Sequence, residues 1–148
     1  MKPFATLALC AAAFAALPAS AQFARPEDAV KYRQSALSVM GTHFSRLGAM
    51  ANGRVPFDAA VAQENAAVVL TMSKLPWAGF TPETEKLTSK AKPAVWREMD
   101  KVKAAADRLM ASTVALDAAA KTGNLDNLKK AFGETAASCK ACHDAYRN

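Results

Sequence analysis

The chain has few of the residues that usually carry chemistry. Three cysteines and two histidines occur in its 148 residues. Cys10 lies in the N-terminal apolar stretch, so a disulfide-dense scaffold is excluded. A strand pattern is missing as well. No stretch alternates apolar and polar residues with β-branched enrichment, which argues against a sheet-built fold. The formal charge is +6, yet no block of Lys and Arg and no basic stripe interleaved with aromatics occurs. The balance is too mild and too scattered for a nucleic-acid partner, and solvated helix faces account for it. No apolar run reaches the roughly 20 residues that a membrane span needs.

What is present begins with an export pattern. Lys2 gives a short positive start, Phe4 to Leu17 runs apolar without a charge, and Ala19-Ser20-Ala21 puts small residues at the −3 and −1 positions of a cleavage site. Residues 1–21 are therefore expected to be a secretory signal peptide. Cleavage would leave one domain, residues 22–148, in the periplasm. An uncleaved anchor is the competing reading, and the short apolar core disfavours it. Leu9 stands where a lipoprotein signal before Cys10 needs a small residue. Without Lys2 the charge is +5.

Four segments carry helical spacing. The first follows Pro26, with Glu27 and Asp28 in its positive first turn. Its stripe is Val30, Leu37, Met40, Phe44 and Leu47, and Asn52-Gly53 ends it. The second starts near Asp58, a plausible N-cap. It runs a stripe of Val61, Val68, Met72 and Leu75, and stops at Pro76. A loop from Trp77 to about Lys92 follows. The third begins at Pro93 and repeats Val95, Met99, Val102, Ala106, Leu109, Thr113 and Leu116, with Gly123 as its stop. The fourth runs from about Leu125 through Leu128, Phe132 and Thr135 into Cys139. The spacing predicts an all-α, antiparallel, up-down-up-down four-helix bundle. Many stripe positions are alanine, which permits close helix approach at some levels and leaves room for a flat cofactor at one end.

Cys139-Lys140-Ala141-Cys142-His143 is a C-x-x-C-H run. On a helix the thiols stand at i and i+3 and the imidazole at i+4, so all three share one face. That face suits one covalent haem c, with two thioethers at the ring edge and His143 on the iron. Three rivals are weaker. Zinc needs a fourth ligand, and the only other histidine is His43. A thioredoxin-like pair belongs beside a βαβ unit, which is absent. A structural disulfide would staple adjacent turns and constrain little. On the first helix, Arg33 and Gln34 lie one turn before Leu37, on or beside the apolar face. A buried-edge Arg needs an anionic partner, and a haem propionate is the obvious one, since Arg matches carboxylate geometry. An ordinary solvated Arg at the stripe border is the alternative.

The stretch Gln22 to Gln34, the run Leu75-Pro76-Trp77, Ala131-Phe132-Gly133 and the segment Ser138 to Arg147 together resemble the cytochrome c′ family, the exported four-helix class II cytochromes. The resemblance covers essentially all of residues 22–148. It implies a five-coordinate haem with His143 on one side and Leu37, which cannot ligate, over the other. It implies propionate contacts from Arg33 and Gln34, and a basic residue, Arg147, beside the proximal histidine; Arg147 is also i+4 from His143. The family uses the loop before the third helix at the haem edge, where Thr84 and Glu85 are the candidates. Trp77 is read either as core or as a pocket wall. The resemblance further implies a homodimer packed through the first two helices.

The expected function is uptake of nitric oxide or carbon monoxide, electron carriage, or both. An apolar residue over the iron keeps out water and strong polar ligands and offers no hydrogen bond to dioxygen. The alternative is a low-spin electron-transfer cytochrome with Met40 as sixth ligand, against which Met40 reads as core filler. A haem enzyme is not expected. Peroxidase-type chemistry wants a distal acid/base, and His43 lies two helical turns from Leu37, about 9 Å along the axis.

Overall fold

The computed structural model describes residues 22–148; the expected signal peptide, residues 1–21, lies outside the described residues. The helices are α1 (Pro26–Ala51), α2 (Ala59–Met72), a single turn α3 (Ala94–Arg97), α4 (Met99–Lys121) and α5 (Leu125–Tyr146). The four long ones form an antiparallel bundle. Around it α1 packs on α2 and α5, α2 on α4, and α4 on α5. This order sets the N-terminal half of α1 beside the C-terminal end of α5.

The helix ends follow local chemistry. Pro26 opens α1 with Glu27 and Asp28 in the first turn. Asp58 caps α2, its Oδ1 accepting the Val61 N–H at 3.0 Å. Asn124 caps α5, its Oδ1 accepting the N–H groups of Asp126 at 2.9 Å and Asn127 at 3.0 Å. Each cap satisfies donors that no intrahelical carbonyl can reach. After α4, Gly123 takes φ +64, the left-handed turn that favours glycine.

The core is built where the α1, α4 and α5 stripes meet. Leu47, Leu116 and Leu128 are fully buried, and Met40, Val69 and Leu109 join them. The second helix departs from its expected stripe. Val61 is exposed, Val68 and Met72 are only half-buried, and the inward face is Ala62, Asn65, Ala66 and Val69. The stripe is thus rotated by about one position, because α2 meets its neighbours through alanines and larger side chains do not fit between close backbones. Asn65 is tolerated inside because its Oδ1 lies 2.8 Å from His43 Nδ1 and its Nδ2 donates to the Val61 carbonyl at 2.7 Å.

The third helix is also not continuous from Pro93. It breaks at Glu98 (φ −122, ψ 38), which separates α3 from α4. The loop before it holds two short 3-10 turns, Pro76–Gly79 and Pro82–Thr84. Among the described residues no helix is long and apolar enough to cross a membrane.

Candidate functional site

Cys139, Cys142 and His143 lie on the last turns of α5. Both cysteines are free and half-buried, and Cys139 packs against the hydrophobic core. Burial pushes the Cys139 thiol up, and the neighbouring Cys142 adds to this. Burial also raises Cys142, partly offset by the charge of Arg108. Both are therefore protonated at neutral pH, which is the opposite of the activated thiolate that a redox pair needs. His143, on the more open side of the helix, is shifted down, first by loss of solvent and then by the charge of Arg147, with Asp144 opposing. That favours the neutral imidazole, the form that can ligate a metal. Among the described residues no group of three or more His, Cys, Asp or Glu is placed to hold a metal ion. A cleft of about 290 Å³ beside Cys142 is walled by Ala104 and Ala105 of α4 and by Ala141 and Ala145 of α5, with Lys101, Arg108 and Tyr146 at its border.

Arg33 is 2% exposed, so it is no solvated border residue. Its Nη1 donates to the Gly79 carbonyl at 2.6 Å and to Thr84 Oγ1 at 2.8 Å, and its Nη2 to Ser89 Oγ at 3.2 Å. The guanidinium carbon lies 4.5 Å from the ring centroid of Phe80 and 5.5 Å from that of Trp96, within cation–π range. Thr84, itself fully buried, donates onward to the Thr81 carbonyl at 2.7 Å, which also accepts Trp96 Nε1–H at 2.9 Å. Gly79 is required here. A Cβ at this position would fall 2.6 Å from the Ala29 carbonyl oxygen and 2.8 Å from Arg33 Cβ.

No carboxylate among the described residues pairs with Arg33. Its partners are neutral oxygens and ring faces, and burial lowers its pKa. A buried cation normally has a counter-charge. The residues present thus fit a cofactor that brings its own carboxylates, and the two unpaired thiols fit one that bonds to sulfur.

The structure brings Arg33 together with Thr84 and sets Cys139, Cys142 and His143 on one helix. Leu37, one turn after Arg33, is half-buried against the core, whereas Met40 is 7% exposed and belongs to it. Trp77 is half-buried, donates Nε1–H to the Ser73 carbonyl at 2.7 Å and stacks near Phe80. Gln34, Glu85 and Arg147 are exposed. Sequence reasoning missed Gly79, Phe80, Ser89 and Trp96. No periodic signal marks them, since all four lie in the loop or the broken turn and meet Arg33 only through the tertiary fold.

The family model described as Cytochrome C' matches residues 28–147. A cytochrome c′ of Rubrivivax gelatinosus is 51% identical over 127 residues, covering 85% of this chain and 98% of that protein. The crystal structure of a cytochrome c′ from Rubrivivax gelatinosus superposes with a TM-score of 0.83 at 51% identity, covering 86% of this chain and 100% of that one. The nitric oxide complex of a leucine-to-alanine mutant of cytochrome c′ from Alcaligenes xylosoxidans gives a TM-score of 0.80 at 47% identity, covering 86% of this chain and 98% of that one.

Proposed function

The chain belongs to the cytochrome c′ family and is a covalent haem c protein; from that premise we propose that it is an exported, five-coordinate haem protein that takes up small neutral gases. The observation that carries this reading is the order of residues on α1. Arg33 is locked in a buried cage without a counter-charge among the described residues, Leu37 follows one turn later at the edge of the core, and Met40, the ligand of the alternative reading, is packed inside.

Cys139 and Cys142 would hold the haem as thioethers, at the i and i+3 spacing that puts both sulfurs on one side of the helix. His143 would ligate the iron as the neutral imidazole, a form favoured first by its loss of solvent and then by the charge of Arg147. Arg33 pairs with a propionate, with Thr84 behind it; Gln34 and Glu85 stand at the exposed rim. The haem supplies a metal with one open coordination position. Leu37 would lie over that position, exclude water and give way to nitric oxide or carbon monoxide. The nitric oxide complex of the mutant relative from Alcaligenes xylosoxidans supports nitric oxide as a ligand.

No peroxidase-type role is proposed. His43, two turns from Leu37, has its Nδ1 engaged with Asn65, which argues against its serving as an acid/base on the Leu37 side. The export pattern of residues 1–21 supports a periplasmic location. Exposed Val39 and Val61, on α1 and α2, support a homodimer through those helices, which sedimentation of the holoprotein measures.

Absorption spectra of the ferric and ferrous protein, with and without nitric oxide and carbon monoxide, test the reading. High-spin spectra that change with each gas are expected. Leu37→Ala should speed carbon monoxide association by roughly tenfold, about 1.4 kcal/mol of barrier. Met40→Leu should leave the spectra alone, since it swaps volume-matched groups. A low-spin wild type that turns high-spin in Met40→Leu would establish the electron carrier instead.

A further inference from the structure

The last residues of the chain are paired to the loop that encloses Arg33. The Tyr146 carbonyl accepts the Lys92 N–H at 2.9 Å, and the Asn148 N–H donates to the Lys90 carbonyl at 2.9 Å. Together they make an antiparallel bridge between Ala91 and Arg147. Two side chains flank it. Lys92 Nζ donates to the Asp144 carbonyl at 3.0 Å, and the Tyr146 hydroxyl donates to Glu98 Oε2 at 2.9 Å.

Each of these ties lies close in sequence to a residue that touches Arg33. Ser89, which accepts from Arg33 Nη2, immediately precedes Lys90 and also accepts the Ala91 N–H at 3.3 Å. Trp96, whose ring lies against the guanidinium, is two residues before Glu98. Glu98 is also the break between α3 and α4, so the segment carrying Trp96 is not held by the regular hydrogen bonding of α4.

We infer that Tyr146 and Glu98, with the Lys90–Lys92 and Tyr146–Asn148 backbone bridge, are positioning residues that latch the Arg33 cage onto α5. The inference rests on the reading that Arg33 pairs with a haem propionate. α5 carries the thiols and the imidazole that would hold the haem, and the cage carries the guanidinium that would pair with its propionate. The latch joins the two directly and holds them at one spacing. Released from it, Ser89 and Trp96 lose their fixed place and water reaches the guanidinium. A hydrated cation is worth less to a propionate than a dry one. A propionate left less neutralised favours the ferric state and lowers the midpoint potential.

The test is the midpoint of the holoprotein in Tyr146→Phe, Glu98→Ala and a chain lacking Asn148, each also made in an Arg33→Leu background. Tyr146→Phe keeps the ring and removes one hydroxyl, so it tests the latch even where a larger change would unfold the protein. Each variant should lower the midpoint by less than Arg33→Leu does, and should have no effect once Arg33 is gone, because two sites acting through one group are not additive. Glu98→Ala, which removes both the charge and the acceptor, adds a check of sign. Loss of a negative charge acting directly through space would raise the midpoint, whereas loss of the latch lowers it. No shift in the wild-type background, or equal shifts in both backgrounds, overturns the inference and leaves the propionate reading standing. If Arg33→Leu itself leaves the midpoint unchanged, the propionate reading falls and the inference falls with it.

Discussion

The two ends of the bundle solve different problems. At one end Leu47, Leu116 and Leu128 close on each other with Ala62, Ala66 and Ala120 between them. The turn there is finished by Gly123 and Asn124. Nothing in that half needs a further group. At the other end a guanidinium is buried without a counter-charge and two thiols are half-buried without a bond. A chain selected only to fold would have placed an apolar residue at Arg33, since a buried charge is costly and an apolar replacement is often neutral or stabilising. The contrast teaches that the first end carries stability and the second is completed by the cofactor.

The largest expected effect breaks the cofactor end. Cys139→Ala with Cys142→Ala should yield protein whose haem is removed entirely by acid-acetone extraction. Haem that stays with the polypeptide would defeat the assignment of these two residues. Next comes the core end. Leu47→Ala should cost roughly 2–5 kcal/mol of unfolding free energy, because a fully buried side chain leaves a cavity. The gas-bound and gas-free spectra of the same variant should stay as in the wild type. A changed spectrum would mean that the two ends are not independent. The smallest effect is at the tight turn. Asn124→Ala removes the acceptor of two backbone N–H groups and should cost about 1 kcal/mol in denaturant unfolding, with covalent haem content unchanged.

The α1 stripe of Val30, Leu37, Met40, Phe44 and Leu47 was legible because large apolar residues recur there at helical spacing, and their half-buried or buried state follows. The α2 stripe was misread for the complementary reason. Its inward face is mainly alanine, which barely changes a hydrophobicity pattern, while Val61 points to solvent with 42% exposure. Asn65 could not have been placed inside without knowing that His43 faces it. The break at Glu98 was hidden because the run from Val95 to Leu116 keeps its three-and-four spacing across it.

The sequence by itself determined the helical bundle and the i, i+3, i+4 placement of Cys139, Cys142 and His143 on one helix. Helical periodicity and i, i+3, i+4 geometry are local properties, settled within one or two turns. It also marked Arg33 as out of place on an apolar stripe. Only the tertiary structure decided what surrounds that residue. Gly79, Thr84 and Ser89 reach Arg33 across 46, 51 and 56 residues of chain, and Glu98 meets Tyr146 across 48. A loop with no periodicity carries no record of its partners, so contacts of that span exist only once the helices have packed and brought the loop against α1 and α5.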